Sequence, residues 1–361
     1  MTLRVGTDTS KLPGAAGAPA TETLQRVAAL GLDGAFFRSA FELSPTLDAA
    51  ELEDVAQTAS DLGLYLEVGA AKVNPFATPE FPEIRALGDG DYLLGLERII
   101  RATTAVGITE LWTATANYQF RIRGLYACDR FRTDVTWPEQ LAATAKVLVR
   151  LAPVMRDAGA HLNIETHEEI TSFEVVRLVE EAGPDAFGIT FDTANVLVRA
   201  EDPVAAARRV APYVRMSHVR DVDLRFSDEG ITRYLAPVGA GVIDWTAVLG
   251  ELVANAPQLN LSIEGIIGGY AGMPLFIDDP VWQAGHPDLT VAEFAEIVRL
   301  TRTQEARAAA GAAPEASVLN GPIDDATSLA FITDSAAALR SILASLPHAP
   351  TSAPATSPVA A

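Results

Sequence analysis

Residues 138–165 read PEQLAATAKVLVRLAPVMRDAGAHLNIE. Ala, Leu, Val and Met recur at helical spacing as far as residue 158, Gly159 follows where a helix needs a left-handed cap, and a short apolar run then ends on Glu165. A long amphipathic helix that leads through one glycine into a buried strand is the repeating unit of a parallel sheet. The same alternation extends in both directions. Strand candidates fall at 4–9, 34–38, 65–70, 110–116, 161–167, 187–195, 214–221 and 259–265, and helical segments lie between them at 22–30, 49–62, 92–105, 138–158, 173–181, 203–211, 245–254 and 291–307. Eight such units predict an α/β fold, a closed (β/α)8 TIM barrel. An open doubly wound sheet ranks lower, because the first strand runs into a loop without the Gly-x-Gly-x-x-Gly phosphate pattern.

Composition narrows the function classes. A chain of 361 residues with 49% hydrophobic and 20% charged residues can bury a large core. A single cysteine, Cys128, excludes an internal disulfide and a cysteine-built zinc site. With 27 Lys and Arg against 47 Asp and Glu, the net charge of −20 opposes nucleic acid and anionic membranes as partners. No apolar run reaches the roughly 18 residues of a membrane span, and Met1-Thr2-Leu3-Arg4 leads straight into a strand without a signal-peptide core, so a soluble cytoplasmic protein is expected. The expected plan is a catalytic barrel over 1–310, a C-terminal extension over 311–346 with a helix at 328–346, and a disordered Pro/Ala/Ser tail over 347–361.

Active sites of such barrels lie at the C-terminal ends of the strands, so polar residues that end apolar runs carry the information. Glu165, Asp192, His218 and Glu264 are such residues on four consecutive strand candidates. They are spaced by 27, 26 and 46 residues, the last gap holding an inserted loop. Equal register would bring them to one level of the barrel mouth. Three carboxylates that close repel one another unless a cation neutralises them, and oxygen-rich ligation with one imidazole suits Mn2+ first, then Mg2+ or Co2+. Lys72 and Asn74, after the third strand, point at the same mouth. Asp221 is placed to orient His218 or to bind a substrate hydroxyl, with a salt bridge to Arg220 or Arg225 as the structural alternative. Two loops read as lids. One spans 117–137, where Arg121, Arg123, Arg130 and Arg132 interleave with Tyr118, Phe120, Tyr126, Phe131 and Trp137, a composition suited to stacking on a planar aromatic group. The other, 268–288, carries Tyr270, Met273, Phe276, Trp282 and His286.

In these residues the chain resembles the xylose isomerase-like TIM-barrel superfamily, which includes ketose 3-epimerases, endonuclease IV-like barrels and inosose dehydratases. The resemblance covers roughly residues 1–310. It is carried by Glu165, by Asp192-Thr193-Ala194-Asn195, by His218-Val219-Arg220-Asp221, by Ile263-Glu264, and most specifically by Pro237-Val238-Gly239-Ala240-Gly241-Val242-Ile243-Asp244-Trp245, where Ala240 stands in place of the usual Glu. It implies that Glu165, Asp192, His218 and Glu264 bind one divalent cation, which acts as a Lewis acid when a carbon-bound proton is removed. His167, two residues beyond Glu165 on the same strand face, is then the expected general base, as a neutral imidazole near its ordinary pKa. The stretches 163–169 and 191–197 are most similar to the large subunits of C-glycoside deglycosidases. That likeness implies a lyase that takes the C2 proton of a 3-oxo-glycoside and expels an aromatic aglycone from C1, as an oligomer with a small second subunit. The alternatives are a ketose or sugar-phosphate isomerase or epimerase with Glu165 and Glu264 as the proton-transfer pair, and a non-catalytic carbohydrate-binding or assembly subunit. A metal nuclease fits less well with five histidines and a charge of −20.

Overall fold

The computed structural model describes residues 3–77, 81–119 and 121–346; the expected tail at 347–361 and the lid residue Phe120 lie outside them. The strands are β1 (Arg4–Asp8), β2 (Gly34–Phe37), β3 (Tyr65–Gly69), β4 (Glu110–Thr113), β5 (His161–Glu165), β6 (Phe187–Asp192), β7 (Val214–Val219), β8 (Asp221–Ser227), β9 (Gly230–Ala236), β10 (Asn260–Ile263) and β11 (Met273–Pro274). Eight of them close a parallel barrel in the order β1-β10-β7-β6-β5-β4-β3-β2, as the eight-unit reading expects. The unit that opened the sequence analysis forms as read. Helix Trp137–Ala158 starts with a capping box between Thr136 and Glu139, stops at Gly159 with φ of 62°, and feeds β5.

The strands end two or three residues earlier than the apolar runs suggest at β5 and β6. The chain beyond turns into the mouth, so Glu165 and Asp192 are terminal residues of their strands. Register then sets the site. His218 pairs with Asp192 on one side and with Ser262 on the other, which leaves Glu264 just above the last barrel pair.

Two features depart from the expected plan. The long gap between β7 and β10 holds an antiparallel hairpin, β8 and β9, extended by β11 into a three-stranded sheet. Helix Val291–Ala309, expected as the eighth barrel helix, packs on β8 and is fastened by Gln304 to Asp223 (2.6 Å) and by Arg307 to the Gly241 carbonyl (2.8 Å). The eighth ring position belongs to helix Asp325–Ser345, which packs against β1, β10 and helix Trp245–Asn255. Phe331, Ile332, Ala336 and Leu339 are buried there within the main core. The expected boundary at 310 therefore falls inside the barrel, because the apolar face of the last helix is the one that fits the gap between the first and last strands.

Candidate metal centre and its cavity

Glu165, Asp192, His218 and Glu264 converge at the C-terminal mouth, all buried, with one potential ligand atom from each within 4.8 Å of the others. Each is aimed by a neighbour. Glu165 accepts from Trp112 Nε1 (2.8 Å), and its other oxygen lies 3.0 Å from His218 Nδ1. Asp192 accepts from the backbone N–H groups of Ala194 and Asn195 (2.8 and 2.9 Å), which fixes its turn at the start of the next short helix. The His218 ring lies 4.6 Å from the ring of Phe36, centre to centre, and its Nε2 is buried without a partner.

Two arginines share the negative charge. Arg220 bridges Asp192 (2.6 Å) and Glu264 (2.9 Å), and Arg38 bridges Asp8 (2.9 Å) and Glu264 (2.5 Å). Burial opposes the ionised form of Glu264, yet Arg220 and Arg38 outweigh it and hold the carboxyl well below the usual range. Asp192 remains short of positive charge. Burial pushes its carboxyl up to about 7 in spite of Arg220, with Glu264 and Glu165 adding to the push. Burial likewise works against a charged His218, but Glu165 and Glu264 keep its pKa above the ordinary histidine value. Three carboxylates and one imidazole with unmet demand for a cation form a donor set that fits a divalent metal ion.

Two of the four, Glu165 and Glu264, open onto a cavity of about 250 Å3. Glu165 and Glu264 line it together with Lys11, Arg38, Lys72, Trp112, Asn117, Tyr118, His167, Glu168, Arg220 and Arg233. Lys72 and Tyr118 thus stand where the sequence places them. Lys72 is buried, with its Nζ 5.6 Å from the centre of the Phe81 ring.

His167 faces the cavity but differs from the neutral base expected. Its Nε2 is 2.8 Å from Glu168 and its Nδ1 2.5 Å from Glu169. Burial alone would lower its pKa; Glu168, Glu169 and Glu165 override that and raise it, which favours the charged ring. The adjacent acidic pair, read as plain sequence, concealed this clamp.

Five weaker substrate candidates have other duties. Asn74 is buried between Gln140 and the Phe76 amide. Among the described residues Asp221 forms no ion pair; it accepts from the N–H groups of Val222, Gly239 and Ile243 and from Trp245 Nε1, at 2.8–3.0 Å. It thereby folds the Gly-x-Gly loop, in which Gly239 has φ of 83° and a Cβ on Gly241 would sit 2.2 Å from Asp221. Trp282 and His286 stack on each other at 4.0 Å, and His286 lies 3.2 Å from Arg199, away from the cavity. Arg121 is exposed and outside the lining. The lid composition is also spent internally. Arg130 forms a buried two-pronged pair with Glu174 (2.7 and 3.0 Å) and lies over Trp137, and Arg132 pairs with Asp134.

A sequence profile for the family described as "Xylose isomerase-like TIM barrel" matches residues 24–302, and the chain belongs to that family. Among curated proteins it is 26% identical over 269 residues to "Uncharacterized protein YihM" of Escherichia coli, covering 72% of this chain and 81% of that one. It is 24% identical over 220 residues to "3-oxo-isoapionate decarboxylase" of Pectobacterium atrosepticum, covering 60% and 67%. Among solved structures, D-psicose 3-epimerase superposes with a TM-score of 0.56 at 18% identity, over 86% of this chain and all of that one. The 3-keto-D-glucoside 4-epimerase YcjR of E. coli gives 0.53 at 16% identity, over 83% and 99%. A xylose isomerase-like barrel from Mycobacterium smegmatis, solved in complex with magnesium, gives 0.55 at 15% identity, over 84% and 98%. These superpositions establish the shared fold.

Proposed function

We propose that the chain is a divalent-metal-dependent enzyme of the sugar isomerase or epimerase kind, which removes a proton from the carbon beside a sugar carbonyl. The observation that carries this reading is the convergence of Glu165, Asp192, His218 and Glu264 within ligand distance of one another, with Glu165 and Glu264 opening onto a small polar cavity. A divalent cation held by these four residues supplies Lewis acidity to a carbonyl oxygen and a neighbouring hydroxyl. Glu165, which lines the cavity and is fixed by Trp112, is placed to take the carbon-bound proton, whereas Glu264 is held ionised by Arg38 and Arg220. His167 faces the same space with both ring nitrogens engaged by Glu168 and Glu169, so it is suited to placing positive charge beside a substrate oxygen rather than to removing a proton from carbon.

The size and lining of the cavity favour a monosaccharide over a sugar joined to an aromatic aglycone. Arg130 and Arg132, two of the four arginines that suggested an aglycone lid, are paired within the protein, Arg130 lying over Trp137. The curated relative named 3-oxo-isoapionate decarboxylase supports an oxo-sugar substrate, since loss of carbon dioxide beside an oxo group leaves the same type of enolate as loss of a proton.

The test is metal analysis of the purified protein, then NMR in deuterated water of free ketoses and of a 3-oxo-glucoside, with and without Mn2+. Metal-dependent exchange at the carbon beside the carbonyl, with formation of the epimer or isomer, is expected. Replacing Glu165 with Gln or Asp192 with Asn should remove metal and exchange together. Release of aglycone from a 3-oxo-C-glycoside in place of exchange, on adding a small second subunit, would establish the lyase; a chain that binds no divalent cation would be the non-catalytic subunit.

A further inference from the structure

Arg233 heads the fully buried side chains by volume, 1% exposed, and stands on β9 in the wall of the candidate cavity. Its hydrogen-bond partner is the sulfur of Met273, a weak acceptor 3.7 Å from one terminal nitrogen, and its Nε has none. Among the described residues no carboxylate oxygen forms an ion pair with it. Its neighbours differ. Arg38 is matched by Asp8 and Glu264, Arg220 by Asp192 and Glu264, and His167 by Glu168 and Glu169. Burial, with Arg220 nearby, lowers the Arg233 pKa to about 10, which leaves the group charged at neutral pH.

Glu168, Asp192 and Glu264 attract it without forming an ion pair, and a guanidinium withdrawn from water without a hydrogen-bonded carboxylate is unfavourable unless a ligand completes it. The surroundings point the same way. On a chain of net charge −20, the cavity is lined by six basic side chains, Lys11, Arg38, Lys72, His167, Arg220 and Arg233, against three acidic ones. The paired carboxylates offset Arg38, Arg220 and His167, which leaves Arg233 as a buried basic group of the wall with no ion pair among the described residues.

We propose that the substrate bears an oxyanion, a carboxylate or a phosphate, and that Arg233 is the residue that binds it. The planar fork of its N–H groups matches two oxygens of either group. The inference rests on reading the cavity as a sugar site and adds the charge class of the sugar. Because β9 belongs to the hairpin inserted after β7, the selecting residue sits outside the barrel strands that carry the metal ligands.

Three ketoses that differ only at C6 test this: D-fructose, D-fructuronate and D-fructose 6-phosphate, titrated calorimetrically into Mn2+-loaded protein. At least one anionic ketose should bind about tenfold or more tightly than D-fructose, and the stronger of the two identifies carboxylate or phosphate. In Arg233→Met, which keeps apolar contact with Met273, the preference should fall to near unity, and Arg233→Lys should recover part of it; melting temperatures report whether each variant folds. Equal binding of all three sugars by the unaltered protein, no binding of either anion at millimolar concentration, or a preference that survives in folded Arg233→Met would overturn the proposal. Hydrogen exchange into the same sugars separates the two readings. Anion preference without exchange removes the enzyme and leaves the oxyanion site, whereas exchange of D-fructose without preference removes the oxyanion site and leaves the enzyme.

Discussion

A histidine held between two carboxylates is a poor base, because releasing its proton forfeits two ion pairs. His167 is in that position, and its proposed part in catalysis is to hold positive charge beside the substrate oxygen. His167→Gln should leave metal content intact and slow solvent exchange by about 10²–10⁴-fold, as measured by NMR in deuterated water; unchanged exchange would reduce His167 to a brace for Glu168 and Glu169. Below the mouth, Glu67 is buried inside the barrel and accepts from Asn260 (3.0 Å) and Ser262 (2.8 Å). Burial raises its pKa from 4.5 to about 7. The folded chain therefore keeps a proton that the unfolded chain releases above pH 4.5. The associated stability is full below that pH and is lost as pH rises toward 7, by about 3 kcal/mol for a shift of this size. Glu67→Gln removes the titration, so the melting temperature of the variant should gain on the wild type between pH 5 and pH 8; a constant difference would show that Glu67 is ionised throughout. The four metal candidates were legible because each ends an apolar run at the barrel mouth; the register itself is stepped, with Asp192 opposite His218 while Glu165 pairs with Thr190 and Glu264 stands two residues beyond Ser262. Arg38 gave the same signal, directly after β2, and its chemistry emerges only with its partners Asp8 and Glu264. Trp112 gave none, since its indole N–H is hidden in a residue type that reads as core.

At the scale of elements, the loop from Pro237 to Trp245 shows how a recognisable motif can be architectural. Asp221 satisfies four donors at once, and nothing else within the fold replaces them. Asp221→Ala would orphan those buried N–H groups and should destabilise the protein by about 3–5 kcal/mol in urea titrations while sparing metal affinity in the fraction that remains folded. A loss below about 1 kcal/mol would mean that water replaces the carboxylate. Helix boundaries were legible to within a few residues, because caps such as Thr136, Gly159 and Thr171 declare themselves in sequence. The β8–β9 hairpin was not. It lies in the 46-residue gap that read as a loop, and its strands are charged, with Asp223 and Arg233 meeting partners that come from distant parts of the chain.

For the whole molecule, the assignment of the eighth ring helix matters most. An amphipathic pattern shows that a helix has an apolar face but leaves open which gap that face fills, and two successive helices were available. Helix Asp325–Ser345 took the gap between β10 and β1, where Arg340 also reaches the Gly31 carbonyl (2.6 Å) from one side of the ring to the other. Phe331→Ala should therefore cost about 3–5 kcal/mol and weaken the barrel as a unit, read as one cooperative transition shifted to lower urea. A separate early transition would instead make the helix an appendage. The same closure has a consequence for biosynthesis. β1 pairs with β10, more than 250 residues downstream, and the seam is covered by a helix that begins at residue 325. At roughly 5–20 residues per second, the ribosome leaves the nascent β1 without that partner for tens of seconds. An unpaired strand edge in that interval is open to wrong pairing, so the last stretch of translation decides whether the emerging chain becomes a barrel or a client for chaperones.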